Sequence, residues 1–252
     1  MPFKPRLQIV THPRWTVPVP TVENRWDLLY SDYPEVYHEF ESVVGTREKQ
    51  VHEIFDLKEK VVLDAGSGTG KSSLPVSRIA KEVIGIDIER PMAAVAKRAL
   101  KEEGADNVEF LLGDARSMPL QDGSVDVVMG ITLAIYPPEG WRAFAREATR
   151  VVKNGGLIVV KAIPPGWYGG ELDKVIADVN ELGVVDAMFS KEFGFRHKDF
   201  YATSNYGTVE KMLRTYGFIF GKKAIDYIID HRKTSIRWKH RYHYKIVKKP
   251  TG

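Results

Sequence analysis

Short hydrophobic runs alternate with amphipathic segments from Lys60 to Ile163. The runs that predict strands are KVVLDA, EVIGID, VEFLL, VDVVMGI and GLIVVKAI, and the intervening segments that predict helices are SLPVSRIA, PMAAVAKRALKEEG and WRAFAREATRVV. Strands covered by helices on both faces are hydrophobic throughout rather than at every second position. The repeated order of strand and helix therefore predicts parallel β-α-β units in an α/β fold.

The flanking parts of the chain follow other patterns. Residues 1–25 are rich in proline and predict an extended arm, and the next thirty residues predict helical material in which Val36, Phe40 and Val43 share one face. Residues 163–205 break the alternation and predict an insertion after the fifth strand. We therefore divide the chain into an N-terminal arm and helical cap (1–58), a core (59–162), an insertion or lid (163–205) and a C-terminal part of the core sheet (206–252).

The C-terminal segment IRWKHRYHYKIV predicts one more strand. Its larger hydrophobic residues recur at even positions and its basic residues at odd ones, which predicts a single buried face. The hydrophobic set is Ile236, Trp238, Tyr242, Tyr244 and Ile246. Few acids balance the basic residues from His231 onward, and this asymmetry indicates an anionic partner.

Composition excludes several classes of site. The chain has no cysteine, so it offers no disulfide, thiolate nucleophile or cysteine-bound metal, and its seven histidines lack the HExxH spacing. We expect no metal site. No apolar stretch reaches the roughly 18 residues of a membrane helix, and the N-terminus lacks the apolar core of a signal peptide. We therefore expect no membrane partner and a cytoplasmic location.

A glycine-rich loop and three acids stand where a ligand site is expected. Gly66, Gly68 and Gly70 directly follow the first strand of the core, and glycine lets the backbone approach a ligand closely. The acids are Asp64 at the end of the first strand, Asp87 at the end of the second and Asp114 just after the third. Asp64 or Asp87 alone is more typical of a helix cap or a solvated loop. Together they predict a site at the carboxyl edge of the sheet, where open α/β sheets bind ligands.

These residues resemble the class I S-adenosylmethionine-dependent methyltransferases, especially the small-molecule branch that includes the quinone-biosynthesis enzymes. LDAGSGTG, VIGIDIERPM, GDARSMPLQDGSVDVV and REATRVVKNGGLIVV carry the resemblance, in order and spacing, over about residues 60–163. It implies a doubly wound, mostly parallel seven-stranded sheet of the Rossmann-like methyltransferase type, with S-adenosylmethionine bound to the core.

The resemblance also implies a role for each site residue. The methionine portion of the cofactor would lie on Asp64 and the loop residues Gly66, Ser67, Gly68 and Gly70, with its ammonium near Asp64. The two ribose hydroxyls would bind Asp87. The remaining contacts would be Ile88 on the adenine face, Asp114 at the adenine amino group, the Ala115 backbone at the ring and Ile131 near the sulfonium.

Two other nucleotide sites compete for the same loop. AGSGTGKS differs from the phosphate-binding pattern GxxxxGK[ST] by alanine at the first glycine, which would make the chain a nucleotide hydrolase with Lys71 on a phosphate. We disfavour it because acids at Asp64 and Asp87 would repel phosphates and no later strand ends in a convincing Walker B acid. A nicotinamide dehydrogenase could use Asp87, but Lys71 stands where GxGxxG needs its third glycine.

The acceptor is expected to be a small molecule with an anionic group or an aromatic ring. The sequence does not indicate whether the atom that receives the methyl group is carbon, oxygen or nitrogen. RNA or protein is the alternative, with Arg237, Lys239 and Arg241 following phosphates. The other alternative is a solvent-exposed edge strand, whose basic residues prevent it from pairing with another sheet. Tyr136-Pro137-Pro138 is neither the Asn-Pro-Pro-Tyr motif of nucleic-acid amino methyltransferases nor in its place.

Methyl transfer needs alignment of the acceptor more than a base. If a base acts, His197 and Tyr136 are the candidates. The insertion is expected to form an acceptor pocket, with Arg196, His197 and Lys198 orienting an anionic group and Gly166, Gly169, Gly170 and Gly194 allowing movement. The aromatic residues of that pocket would be Trp167, Tyr168, Phe189, Phe193, Phe195, Phe200 and Tyr201.

Overall fold

A computed structural model describes most of the chain. The described residues are 7–12, 15–20, 29–44, 51–131, 133–135, 137–176 and 181–249. Tyr136, one of the two candidate bases, lies outside them, as do parts of the predicted arm and helical cap. None of the described helices combines the length and hydropathy needed to cross a membrane.

The strands fall into two sheets. In chain order they are β1 (Leu7–His12), β2 (Trp15–Pro20), β3 (Val61–Ala65), β4 (Glu82–Asp87), β5 (Val108–Leu112), β6 (Val125–Ile131), β7 (Val152–Ala162), β8 (Arg196–Asn205) and β9 (Ser235–Ile246). Among the described residues, seven strands form one sheet in the order β5-β4-β3-β6-β7-β9-β8. The pairs from β5 to β7 are parallel and β9 is antiparallel to β7, which confirms the mostly parallel seven-stranded sheet.

Helices connect the parallel strands. The α-helices of the described residues are α1 (Pro34–Val44), α2 (Val51–Ile54), α3 (Ser73–Ser77), α4 (Arg90–Glu103), α5 (Gly140–Val151), α6 (Asp173–Ile176), α7 (Glu181–Ala187), α8 (Val209–Met212), α9 (Phe218–Phe220) and α10 (Lys222–Asp230). A 3-10 helix spans Gly170–Leu172, and π-helices span Met188–Glu192 and Leu213–Gly217. The predicted helices between the core strands are all present, as α3, α4 and α5.

The sheet is hydrophobic on both faces, as the unbroken hydrophobic runs predicted. Adjacent residues of β3 enter different core clusters because side chains alternate across a strand. Leu63 packs in a cluster with Phe144 of α5, and Val62 packs in a cluster with Val76 of α3. Helices therefore cover both faces of β3, and a ligand is expected at its carboxyl end, where open α/β sheets bind ligands.

The chain divides into two compact units, each built from three stretches. One unit comprises Met1–Glu48, Gly166–Asp178 and Tyr201–Lys239, and the other comprises Lys49–Pro165, Val179–Phe200 and His240–Gly252. The second unit contains β3 to β7. The four segments that the sequence predicts are continuous, whereas these units are not, and the cap and lid functions of those segments stay predictions.

The predicted arm contains paired strands. β1 and β2 form an antiparallel pair from Leu7↔Pro20 to His12↔Trp15. Proline lacks the backbone N–H that a central strand must donate, so prolines in a strand are tolerated in a two-stranded pair of this kind. The backbone is extended as predicted, but proline content alone gave no signal for the pairing.

The end of the predicted insertion belongs to the sheet. Residues 196–205 form β8, an edge strand in which only Ala202 and Ser204 are buried. An edge strand contacts the core weakly, so the hydrophobic alternation that reveals other strands is missing. The prediction of an insertion over the whole of 163–205 is therefore wrong for its last ten residues.

The aromatic residues of the predicted pocket serve in part as core. Phe189 is fully buried and Phe195 is nearly so, both in the cluster that covers one face of the sheet. Trp141 of α5 contacts Phe189 edge to face, with the two ring centroids 5.2 Å apart. Tyr201, in contrast, is 54% exposed. The alternative that these rings seal the segment onto the sheet holds for Phe189 and Phe195.

Two of the glycines expected to allow movement are tightly packed instead. Gly169 and Gly170 have φ of 76° and 72°, and a Cβ on Gly169 would lie 1.9 Å from Ile176 Cδ1. A Cβ on Gly170 would lie 2.5 Å from Ile236 Cγ2. The Tyr216 hydroxyl donates a hydrogen bond to the Gly169 carbonyl. These glycines therefore permit close packing at a fixed backbone conformation.

β9 is buried on both faces over part of its length, not on one face as predicted. Ile236, Trp238 and Tyr242 are buried as expected, but Ile246 is 54% exposed and His243 on the opposite face is fully buried. Packing covers the two faces at this point, because Tyr242 enters a core cluster on one side of the sheet and Phe189 stacks on His243 on the other. The exposed end at Ile246 pairs with Leu157, near the start of the hydrophobic part of β7.

A partly buried ion network joins Arg241 to two acids. Its Nε and Nη2 donate to Asp199 Oδ1 and Oδ2 at 2.6 and 2.7 Å, and its Nη1 donates to Asp186 Oδ1 at 2.8 Å. The Arg241 side chain is 15% exposed. Arg241 is therefore engaged within the protein, which corrects the alternative in which it follows phosphates.

His243 lies beside this network. Its Nε2 is 3.2 Å from Asp186 Oδ1 without the geometry of a hydrogen bond, and its ring stacks on Phe189 with centroids 5.0 Å apart. Burial lowers the pKa of His243 to about 4 and outweighs the attraction of Asp186. His243 is therefore neutral at physiological pH.

Candidate functional site

The loop after β3 has the backbone conformation that its glycines allow. Gly66, Gly68 and Gly70 have φ of 71°, 53° and 82°, a region that residues with a side chain rarely adopt. The Gly66 and Ser67 N–H groups both donate to the Ile86 carbonyl, at 2.8 and 2.9 Å. The loop is thus held against β4 at the carboxyl edge of the sheet.

Asp64, at the end of β3, is fully buried with one oxygen satisfied and one not. Its Oδ2 accepts hydrogen bonds from Ser72 Oγ at 2.7 Å and Ser73 Oγ at 2.6 Å. Its Oδ1 is buried and has no hydrogen-bond partner in the described part of the chain. Burial raises the pKa of Asp64 to about 6, and the two serine hydrogen bonds only partly offset it. Such an oxygen fits a cationic donor such as an ammonium group.

Asp87, at the end of β4, is bonded to the glycine loop. Its Oδ2 accepts from the Gly68 N–H and its Oδ1 from the Glu89 N–H, each at 2.8 Å. Burial raises the pKa of Asp87, and backbone hydrogen bonds oppose that rise. Each carboxylate oxygen has two lone pairs, so both can accept one further hydrogen bond. Asp87 is thereby oriented and still able to bind a diol.

An exposed apolar pair lies beside Asp87. Ile88 follows it directly and is 58% exposed, and Leu112 of β5, which pairs with Asp87 across the sheet, is 48% exposed. Exposed large hydrophobic residues at the ligand-binding edge fit a flat apolar group such as a nucleobase. The sequence identified Ile88 but not Leu112, whose only signal is its position at the end of VEFLL.

Asp114, just past β5, is engaged by a neighbour that the sequence did not flag. Its Oδ1 accepts from the Arg116 N–H at 2.8 Å and Nε at 3.0 Å, and its Oδ2 accepts from Arg116 Nη2 at 2.8 Å. Hydrogen bonds from Arg116 lower the pKa of Asp114. The Gly113 N–H donates to the Asp87 carbonyl at 2.9 Å, which brings this turn to β4. Ala115 is buried against the core.

Leu133 packs against the glycine loop. It follows Ile131, the last residue of β6, and a Cβ on Gly66 would lie 2.4 Å from Leu133 Cδ1. A Cβ on Gly130 would lie 3.3 Å from Leu133 Cδ2. Sequence reasoning missed Leu133 because no local pattern shows where a residue beyond a strand end will pack.

The ring of Phe110 of β5 packs against two glycines of the site. A Cβ on Gly85, inside β4, would lie 2.4 Å from Phe110 Cδ1 and 3.0 Å from Ser67 Cβ. A Cβ on Gly70 would lie 2.9 Å from Phe110 Cζ. Phe110 therefore fills the space that both glycines leave, so Gly85 is a packing requirement of the site.

The structure brings together most of the predicted residues but not the candidate base. Asp64, the loop, Asp87 and Ile88 follow the adjacent strands β3 and β4, and Asp114 follows β5 next to them. His197 is exposed on β8, four strands from β3 in the sheet order, or roughly 19 Å at 4.8 Å per strand. Its ring centroid is 6.1 Å from that of His243.

Comparison with known proteins identifies the same stretch. A family model described as a methyltransferase domain matches residues 62–156. A demethylmenaquinone methyltransferase from Lactococcus lactis is 32% identical over 189 residues, which are 72% of this chain and 73% of that protein. A malonyl-[acyl-carrier protein] O-methyltransferase from Yersinia pestis is 28% identical over 63% of this chain and 59% of its own length.

A solved structure shares the fold. The YcgJ protein from Bacillus subtilis superposes with a TM-score of 0.55 at 22% sequence identity, over 85% of this chain and 100% of that one. The residues that the family model matches include the glycine loop, Asp64, Asp87 and Asp114.

Proposed function

Because the chain belongs to the class I S-adenosylmethionine-dependent methyltransferases, we propose that it methylates a small-molecule acceptor, with the cofactor on the glycine loop and the three acids around it. The observation that carries the proposed site is the buried, unpartnered Oδ1 of Asp64. S-adenosylmethionine, when bound, supplies a methyl group on a positively charged sulfur that is open to in-line displacement.

The residues present fit this cofactor. The ammonium of the methionine portion would lie at Asp64 Oδ1, where a buried carboxylate oxygen needs a donor. Gly66, Ser67, Gly68 and Gly70 would follow the methionine chain, and the three glycines let the backbone approach it closely. These residues bind and orient, and they take no proton from the reacting atoms.

The nucleoside would lie over the ends of β4 and β5. Asp87 would accept from the two ribose hydroxyls, and Ile88 with Leu112 would contact the adenine ring. Asp114 would accept from the adenine amino group beside the Ala115 backbone, alongside its hydrogen bonds from Arg116. Ile131, at the end of β6, would lie near the sulfonium.

The small-molecule acceptor is supported by the names of the relatives, which act on demethylmenaquinone and on malonyl-[acyl-carrier protein]. The work of the protein is to align the acceptor with the methyl group and to exclude water, which alone can supply several kcal/mol of rate enhancement. We assign the residues between β7 and β8, with the N-terminal segment, to acceptor recognition. No base is assigned, because His197 is four strands from β3.

Ligand-dependent stabilisation tests the cofactor. S-adenosylmethionine or S-adenosylhomocysteine should raise the melting temperature, since ligands that bind only the folded state stabilise it. ATP with magnesium and NAD should not. Stabilisation by ATP with magnesium alone would instead support the nucleotide hydrolase, and stabilisation by NAD alone the dehydrogenase.

Asp87→Ala tests the ribose contact. It should weaken S-adenosylhomocysteine binding by about 1.5 to 3 kcal/mol in calorimetry, the usual loss for hydrogen bonds to a charged group. Asp106→Ala, which removes an exposed acid just before β5, is the matched control and should bind normally. Unchanged affinity in folded Asp87→Ala would remove Asp87 from the site.

The acceptor class can be tested with labelled cofactor. Transfer of a radioactive methyl group should be seen with low-molecular-weight hydroquinones or acyl thioesters and not with RNA. Point variants suit this assay better than deletion of the segment between β7 and β8, because Phe189 and Phe195 of that segment belong to the core. Trp167→Ala, in the segment between β7 and β8, should reduce transfer while cofactor affinity stays within about tenfold, or 1.4 kcal/mol. Transfer to RNA alone would overturn the small-molecule proposal.

A further inference from the structure

Two serines after the glycine loop hold one oxygen of Asp64 and leave the other open. Ser72 Oγ and Ser73 Oγ donate to the same atom, Oδ2, at 2.7 and 2.6 Å. Ser73 is fully buried and Ser72 is half-buried. A serine hydroxyl has a single proton to donate, so each is committed to this contact.

We infer that Ser72 and Ser73 are positioning residues that orient Asp64 toward the cofactor ammonium, and that the bound ammonium holds this carboxyl group in its ionised form. The inference rests on the proposed function of Asp64. It adds a role for two residues outside the glycine loop and a dependence of cofactor affinity on pH.

The geometry supports the orienting role. Oδ2 accepts both serine protons, and the unpartnered Oδ1 is the atom left for a further donor. Without the serines the carboxyl group could rotate and exchange its two oxygens. With them, the oxygen that lacks a partner is always the same one, which is the preorganisation that a binding site requires.

The charges around Asp64 decide the protonation state. Asp87 on β4 faces it and disfavours its ionised form, and the residue in register on β6 is the apolar Met129. Lys71, in the loop, is exposed. Burial raises the pKa of Asp64 to about 6, while Ser73 and Ser72 lower it. A bound ammonium at Oδ1 favours the ionised form and therefore releases a proton.

Removal of a serine should shift this balance in a known direction. Ser73→Ala deletes a hydrogen bond that favours the ionised carboxylate, so Asp64 should hold its proton to a higher pH. Affinity for S-adenosylhomocysteine should then rise with pH in both the parent and Ser73→Ala, but the rise should occur at a higher pH in Ser73→Ala. At pH 6 the variant should bind about 3- to 10-fold more weakly than the parent, and near pH 8 the two should converge.

Calorimetry from pH 5 to 8 with S-adenosylhomocysteine tests this expectation. Ser77→Ala is the matched control, because Ser77 is a buried serine of the same helix that donates to the Leu74 carbonyl and not to Asp64. Ser73→Thr keeps a hydroxyl and should restore the parent profile. Ser72→Ala is a second test in case Ser73→Ala does not fold. Repeating the titration in buffers of different ionisation enthalpy counts the proton released.

The outcomes are distinct. Affinity of the parent that is constant from pH 5 to 8, or profiles of Ser72→Ala and Ser73→Ala that match Ser77→Ala, would overturn the positioning role of the two serines while leaving the proposed methyltransferase function intact. Absence of S-adenosylhomocysteine binding by the parent at every pH would overturn the proposed function itself. The inference would be supported if the affinity of Ser73→Ala reached its plateau at a higher pH than that of the parent, and if Ser73→Thr restored the parent profile.

Discussion

Asp64→Asn should stabilise the empty protein at alkaline pH while it removes cofactor binding. Asp64 is fully buried, and its pKa is raised from 3.8 to about 6. A carboxyl with a raised pKa contributes stability below its unfolded value, and that contribution is lost as the pH rises through the folded value. Above about pH 6 the ionised side chain therefore weighs against the folded state.

The magnitude follows from the difference between the two pKa values. About two pH units at about 1.4 kcal/mol each give roughly 3 kcal/mol at pH 8. Asparagine has no charge to bury and can still accept a serine hydrogen bond, but its amide N–H group needs a partner, which costs about 1 to 2 kcal/mol. The net gain should be about 1 to 2 kcal/mol, or roughly 2 to 8 °C in melting temperature for a chain of this size.

Thermal unfolding of parent and variant from pH 4 to 8, without ligand, measures this effect. The melting temperature of the variant should exceed that of the parent by an amount that grows as the pH rises from 4 to 7 and then stays constant. S-adenosylmethionine should stabilise the parent and not the variant. If the difference in melting temperature between parent and variant were the same at every pH, Asp64 would not titrate differently in the folded and unfolded protein, and the reasoning from its burial would be wrong.

Three further predictions test the packing around the site. Gly85→Ala should destabilise the protein by about 1 to 3 kcal/mol in denaturant unfolding because its Cβ would meet Phe110, and Phe110→Leu in the same chain should recover most of the loss. Arg241→Met should cost about 3 kcal/mol by leaving two acids uncompensated, whereas Arg78→Met at an exposed ion pair should cost less than about 1 kcal/mol, and equal losses would contradict the assigned burial. His243→Phe should reduce acid sensitivity between pH 6.5 and 4, because a histidine whose folded pKa is lowered loses stability as the pH falls through that window; an unchanged acid midpoint would argue against this.

The central sheet could be predicted because its strands are hydrophobic throughout. Each run from β3 to β7 is uninterrupted, and Gly66, Gly68 and Gly70 follow the first one, so the order of elements and the edge that carries the site were readable. β8 was missed because its two buried residues, Ala202 and Ser204, are small or polar and give no alternation of hydrophobic side chains. The paired strands at the N-terminus were missed because pairing is not a local property.

The parts of the site that escaped prediction depend on contacts between distant residues. Arg116 is near Asp114 in sequence, but nothing in the pattern shows that its side chain turns back rather than outward. Leu133 meets Gly66 across 67 residues of chain. His197 was a candidate only because the order of the strands, which separates it from β3, cannot be read from one strand at a time.

The contact of Phe110 with both Gly85 and Gly70 also limits how this chain can diverge. A larger residue at Gly85 is tolerated only after Phe110 has become smaller, and a smaller residue at Phe110 leaves a cavity beneath the loop until Gly85 is replaced. At Gly70 the φ of 82° disfavours any side chain, whatever stands at position 110. Substitutions at Gly85 and Phe110 should therefore be found together in descendants of this sequence, in an order that begins with the aromatic ring. A library that randomises all three at once, selected for cofactor binding, should recover compensated pairs at Gly85 and Phe110 and retain glycine at position 70.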